Sequence, residues 1–135
     1  MDAKDRIREL LKKRREVILA YLYGSTVKGY ASCESDLDLG ILLEQDFQPD
    51  PLYPARLALD IETQARTERE VDVRILNGMP PRFLRQVIDG ELAYSRDESE
   101  RVRFETAVID RYLDFKPFYE QYDRARRERL LGESR

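Results

Sequence analysis

Asp36 and Asp38 flank a single leucine at the head of the apolar run LDLGILL, and Gly24-Ser25 closes an earlier apolar run, VILAYLY, with ten residues between Ser25 and Asp36. In an extended strand alternate side chains share a face, so Asp36 and Asp38 point the same way while Leu37, Leu39 and Ile41 turn into a core. Two carboxylates so placed can hold Mg²⁺, a hard cation that takes a few carboxylates together with phosphate oxygens and water. Gly24 has no Cβ and can bring backbone N–H groups close to a phosphate. Ser25, opening the helix that follows, can serve both as its N-cap and as a hydrogen-bond donor to phosphate. The chemistry this suggests is metal-dependent and acts on nucleotides.

Each half of the pattern alone has an ordinary explanation. With 27 acidic residues in 135, an Asp-x-Asp is expected somewhere, usually on a solvated strand face, and Gly-Ser is a common strand-to-helix turn. The order strand, small-residue turn, short helix and acidic strand sets the pair apart.

Composition removes the competing chemistries. The chain has no histidine, which excludes Ser-His-Asp and Cys-His catalysis and His-rich zinc sites; the one cysteine, Cys33, can build neither a thiolate cage nor an internal disulfide. Oxygen ligands remain. A net charge of -3 argues against a nucleic-acid groove as the main surface. No apolar run approaches the roughly 20 residues of a membrane span, and the charged start MDAKDRIRELLKKRRE does not read as a signal peptide, so a cytoplasmic protein is expected.

The elements that must position these residues follow from periodicity. Residues 3–15 carry Ile7, Leu10 and Leu11 at helical spacing, and a first strand is expected over 17–23, a short helix over 25–31 and a second strand over 36–43. Residues 44–54 hold Pro49, Pro51 and Pro54 and read as a loop leading into a helix through Gln64 or beyond. Residues 70–76 (EVDVRIL) alternate as a third strand, with Val71, Val73 and Ile75 on one side and Glu70, Asp72 and Arg74 on the other. Phe83, Leu84, Val87 and Ile88 then mark a helix with Pro81 in its first turn and Gly90 beyond its end, and ELAYS at 91–95 adds a short edge strand. The remainder is helical, with Val108, Tyr112, Phe115, Tyr119 and Tyr122 on one stripe and Pro117 expected to kink or split it. With no repeat or linker, residues 1–135 are expected to form a single α/β domain, a small mixed sheet flanked by helices with a C-terminal helical segment.

The stretch GSTVKGYASCESDLDL resembles the signature of the DNA polymerase β-like nucleotidyltransferase superfamily, Gly-Ser, an interval and Asp-x-Asp. It is most similar to the minimal nucleotidyltransferases that act as antitoxins to HEPN toxins. Lys28-Gly29 stands where the family has a basic residue followed by glycine, although relatives often carry Arg, whose planar fork a lysine replaces with a point charge. The resemblance covers about sixteen residues closely and the rest in order and size, and it implies the polymerase β-like fold. Asp72 is implied as the third metal-binding carboxylate, with Glu70 on the same face as the fallback. On this reading Asp36 and Asp38 bridge two Mg²⁺ ions, Asp72 holds the one beside the acceptor, and Gly24, Ser25 and Lys28 hold the phosphates of ATP.

The resemblance further implies transfer of AMP to a tyrosine hydroxyl of a cognate HEPN ribonuclease, silencing it. Two other outcomes stay open: an antitoxin that neutralises its toxin by contact alone, and a nucleotidyltransferase acting on a small molecule or an RNA end. Phe118, Tyr119 and Tyr122, beyond Pro117, are expected to help dock the toxin or a second copy of the chain. The RARRER run at 124–129 is surrounded by acids and reads as a solvated helix rather than a nucleic-acid contact.

Overall fold

The computed structural model describes residues 2–24 and 36–133. Its elements are α1 (Ala3–Lys12), β1 (Val17–Tyr23), β2 (Leu37–Leu43), α2 (Tyr53–Gln64), β3 (Val71–Ile75), α3 (Pro81–Ile88), β4 (Glu91–Ser95) and α4 (Glu98–Glu133). The strands form one mixed sheet in the order β3-β2-β1-β4, in which β1 is antiparallel to both β2 and β4 while β2 and β3 are parallel. A parallel pair needs a crossover, and α2 supplies it. The edge position expected for ELAYS is observed.

Strand alternation divides the core into two layers. Leu37, Leu39, Ile41 and Leu43 of β2, with Val71 and Val73 of β3, bury against Ile7, Leu10 and Leu11 of α1 and Leu57 and Ile61 of α2. Leu19, Tyr21 and Tyr23 of β1, with Leu76, pack on the other face against Leu84 and Val87 of α3 and Val108 of α4. Each fully buried aliphatic side chain contributes about 1.5–3 kcal/mol, so the leucines of β2 hold that strand firmly in phase. A one-residue slip would exchange its apolar and acidic faces.

The register of β2 against β3 is fixed at both ends. At one end the Leu37 N–H donates to the Glu70 carbonyl at 2.8 Å, and Glu62 of α2 accepts the Val71 N–H at 2.6 Å. At the other the Leu76 N–H donates to the Ile41 carbonyl at 2.8 Å, and the Asn77 amide both donates to the Leu43 carbonyl (2.8 Å) and accepts its N–H (2.9 Å).

Several boundaries differ from expectation for identifiable reasons. α1 stops at Lys12 because the Lys13 and Arg14 N–H groups turn back onto Leu10 and Leu11, and Arg14 then reaches Asp60 of α2 at 2.5 Å. α2 begins at Tyr53, ahead of Pro54, since a proline in a first turn forfeits no helical hydrogen bond. Asp36 and Glu70 lie one residue ahead of their strands. Of the kink or split expected at Pro117 the split is not made, and α4 runs through it as one helix. Leu113, whose carbonyl would have bonded the missing N–H, is 55% exposed, so water can take the place of that bond. The first half of α4 lies on the sheet through Phe104 and Val108, whereas Phe118 and Tyr122 are 64% and 63% exposed. Among the described residues no helix is long and apolar enough to cross a membrane.

Candidate active site

The fixed register brings Asp38 directly beside Asp72 on the neighbouring parallel strand, and Tyr23 of β1 is the partner of Asp38 on its other side. Both carboxylates lie on the α3 and α4 side of the sheet, since Leu37, Leu39 and Val71, Val73 occupy the opposite face. Asp36, exposed and just ahead of β2, adds a third negative charge within electrostatic reach of Asp38.

Gly24 follows Tyr23 with φ +86°, and a Cβ built there would stand 2.9 Å from Oδ2 of Asp38. Glycine is needed twice over, for a left-handed turn that side chains rarely adopt and for the space the carboxylate fills. Gly90, between α3 and β4, packs so tightly that a Cβ would meet the Leu22 carbonyl oxygen at 2.2 Å, which seats the α3 to β4 turn against the end of β1.

The electrostatics follow from this crowding. Burial holds the Asp38 carboxyl above its usual range, the Asp72 charge pushes it further, Arg74 partly opposes the shift, and Asp36 adds to it. The Tyr23 hydroxyl is raised in the same way, first by burial and then by Asp38. Carboxylates forced together in register and repelling one another form a donor set that suits a hard cation, which removes the repulsion and takes oxygen ligands. The residues therefore fit Mg²⁺. Among the described residues no three acidic or thiol groups are already gathered around one metal position, so the structure brings together the Asp38 and Asp72 pair with Asp36 at its margin. Ser25, Lys28 and the short helix expected over 25–31 lie outside the described residues. Glu70 is exposed and precedes β3, its carbonyl engaged by Leu37.

Sequence reasoning assigned no role to Arg74, Phe83 or Tyr23. The Arg74 Nε lies 3.7 Å from Oδ2 of Asp72, and its guanidinium carbon lies 6.0 Å from the centre of the Phe83 ring. Phe83 in turn meets Tyr23 edge to face, with ring centres 5.7 Å apart. Alternation already put Arg74 on the face of Asp72, and that was the available signal. A cleft of about 560 Å³ also opens between α2 and β3, lined by Pro51, Pro54, Leu59, Glu62, Val71 and Asp72 among others.

Comparison with known proteins agrees with this fold. The family model described as polymerase beta, nucleotidyltransferase matches residues 5–99. No curated protein matches the chain in sequence. A toxin-antitoxin crystal structure with AMP-PNP contains a chain of the same fold, with TM-score 0.65 and 20% identity over 96% of each chain. The complex of a tri-AMPylated Shewanella oneidensis HEPN toxin with its MNT antitoxin contains another, with TM-score 0.62 and 19% identity over 97% of this chain and 94% of that one. A protein described as a minimal nucleotidyltransferase gives TM-score 0.52 and 28% identity over 67% of this chain and 94% of its own. A Gly24 turn against Asp38, the parallel Asp38 and Asp72 pair, and a family match across most of the chain converge, and the protein belongs to the polymerase beta nucleotidyltransferase family.

Proposed function

We propose that this chain is an antitoxin that transfers AMP from ATP to a tyrosine hydroxyl of a cognate HEPN ribonuclease toxin, with Mg²⁺, in the cytoplasm. The observation that carries the reading is the in-register pairing of Asp38 with Asp72 beneath the Gly24 turn. Family membership supports nucleotidyl transfer. The likeness to the MNT antitoxin found with an AMPylated HEPN toxin supports the choice of acceptor.

Asp36 and Asp38 would share two Mg²⁺ ions, and Asp72 would hold the one nearer the acceptor. Bound there, the cations supply charge neutralisation at the phosphates and ease ionisation of the acceptor hydroxyl. Gly24, Ser25 and Lys28 orient the outer phosphates so that the acceptor oxygen meets the α-phosphorus in line with the bond to be broken. The new P–O bond forms as the bond from the α-phosphorus to the bridging oxygen breaks. Pyrophosphate departs with that electron pair, and the acceptor proton passes to Asp72 or to water.

Neutralisation by contact alone is the second reading, and the aromatics exposed on α4 favour docking whether or not transfer follows. Incubating chain and toxin with α-labelled ATP and Mg²⁺ separates the two. Label on the toxin tyrosine, lost on chelation, supports transfer. Neutralisation of the ribonuclease without label would leave only the contact mechanism.

A further inference from the structure

Arg74 stands on the acid-bearing face of β3, two residues beyond Asp72, in register with Gly40 of β2. Gly40 offers no side chain to cover it, and the Arg74 side chain remains 53% exposed. Its approach to Asp72, 3.7 Å from Nε to Oδ2, is longer than a hydrogen bond, so the pair is held by charge rather than by a fitted fork. Phe83, fixed by Tyr23, keeps the guanidinium over its ring face, 6.0 Å from the centre. The cation is therefore poised beside the acids, loosely engaged, with donors available to another anion.

We infer that Arg74 is a phosphate-binding residue for the nucleoside triphosphate, serving as counter-ion to Asp72 in the metal-free protein and turning to the nucleotide when a divalent cation occupies the acids. This rests on the nucleotidyltransferase reading and deepens it. A divalent ion on Asp72 repels the guanidinium and takes its partner, while the incoming triphosphate brings negative charge to the same face. A guanidinium with planar, forked donors suits phosphate oxygens better than it suits the single long contact it makes with Asp72. The same residue then weakens binding of the cation alone and strengthens binding of the cation with nucleotide.

Calorimetric titration of the full chain with MgCl₂ alone and with Mg²⁺ plus AMP-PNP tests this, using the wild type, Arg74→Gln and Arg74→Lys. Circular dichroism should show all three folded, because the exchange removes only an exposed ion pair and a ring contact. Arg74→Gln should bind Mg²⁺ alone severalfold more tightly and Mg²⁺ with AMP-PNP roughly tenfold more weakly, the size expected for loss of a charge-assisted contact. Arg74→Lys should recover part of the nucleotide affinity. If Arg74→Gln binds nucleotide as tightly as the wild type, or binds Mg²⁺ alone no more tightly, the inference is overturned while the nucleotidyltransferase reading stands. A wild-type chain that binds neither Mg²⁺ nor nucleotide would overturn both.

Discussion

Asn77 holds the backbone of Leu43 from both sides, donating to its carbonyl and accepting its N–H, and so ties the far end of β2 to the turn after β3. The acids lie at the other end of the same two strands. Asn77→Ala should cost about 1–3 kcal/mol, the range for two part-buried hydrogen bonds, measured by urea unfolding. Transfer should fall further than stability alone explains, because the Asp38 and Asp72 register loosens. A variant equally stable and equally active would mean that the leucines of β2 set the register unaided.

Asp38→Asn should abolish transfer and yet stabilise the metal-free protein. Burial and the neighbouring Asp72 charge hold the folded carboxyl above its ordinary value, so the folded state keeps its proton to higher pH than the unfolded chain does. Stability from this group is therefore lost as pH rises from near the unfolded value through the raised one, and at neutral pH its ionised form is a net cost. In chelator, the melting temperature of Asp38→Asn should exceed that of the wild type at pH 7, with the gap closing toward pH 3. Asp36→Ala should also lose transfer with its fold intact.

Gly24→Ala should be more damaging than a methyl group suggests. The left-handed backbone costs roughly 1–3 kcal/mol for a side-chain-bearing residue, and the new Cβ would press on the Asp38 carboxylate. Retained turnover with only lowered stability would show that the carboxylate can move aside without harm.

For Asp72→Asn the expected signature is a split between constants. ATP affinity should weaken modestly, because Asp36 and Asp38 persist, while kcat falls by about 10²–10⁴ with loss of the acceptor-side acid. Comparable losses in kcat and affinity, or none, would transfer the role to Glu70.

Phe118 and Tyr122 offer a test of docking that spares the fold. Arg82 of α3 grips Asp123 at 2.7 Å and lies over the Tyr119 ring, its guanidinium carbon 5.2 Å from the centre, so removing residues 118–135 would also cut this clasp. Phe118→Ser with Tyr122→Ser leaves it in place. The double variant should melt within about 0.5 kcal/mol of the wild type and bind Mg²⁺ with AMP-PNP normally. Its affinity for the proposed HEPN partner should drop at least tenfold in a pull-down titration. Undiminished toxin binding would place the docking surface elsewhere.

Much of the site was legible because period-two alternation is a local property. Leu37, Leu39 and Ile41 on one face imply Asp36 and Asp38 on the other, and Val71 and Val73 do the same for Asp72. What alternation cannot supply is pairing. That β2 and β3 run parallel with Asp38 opposite Asp72 depends on the α2 crossover and on Asn77 and Glu62, contacts between residues far apart in sequence. Arg74 was on the correct face, but its proximity to Phe83 arises only when α3 folds over the sheet. At Pro117 the split that local stereochemistry allows is not made, because an exposed helix can give up one hydrogen bond.

The placement of β3 as the outermost strand bears on the size of what can be modified. Asp72 stands on the rim of the sheet, on its outermost strand. A reactive group can thus be offered sideways by a bulky body that never enters the domain, much as a key blank is presented to a cutter mounted at the edge of a bench. An enclosed site would select for small, detachable substrates, whereas a rim position suits the side chain on a folded surface proposed above as acceptor, and on that reading discrimination comes from how the two surfaces meet.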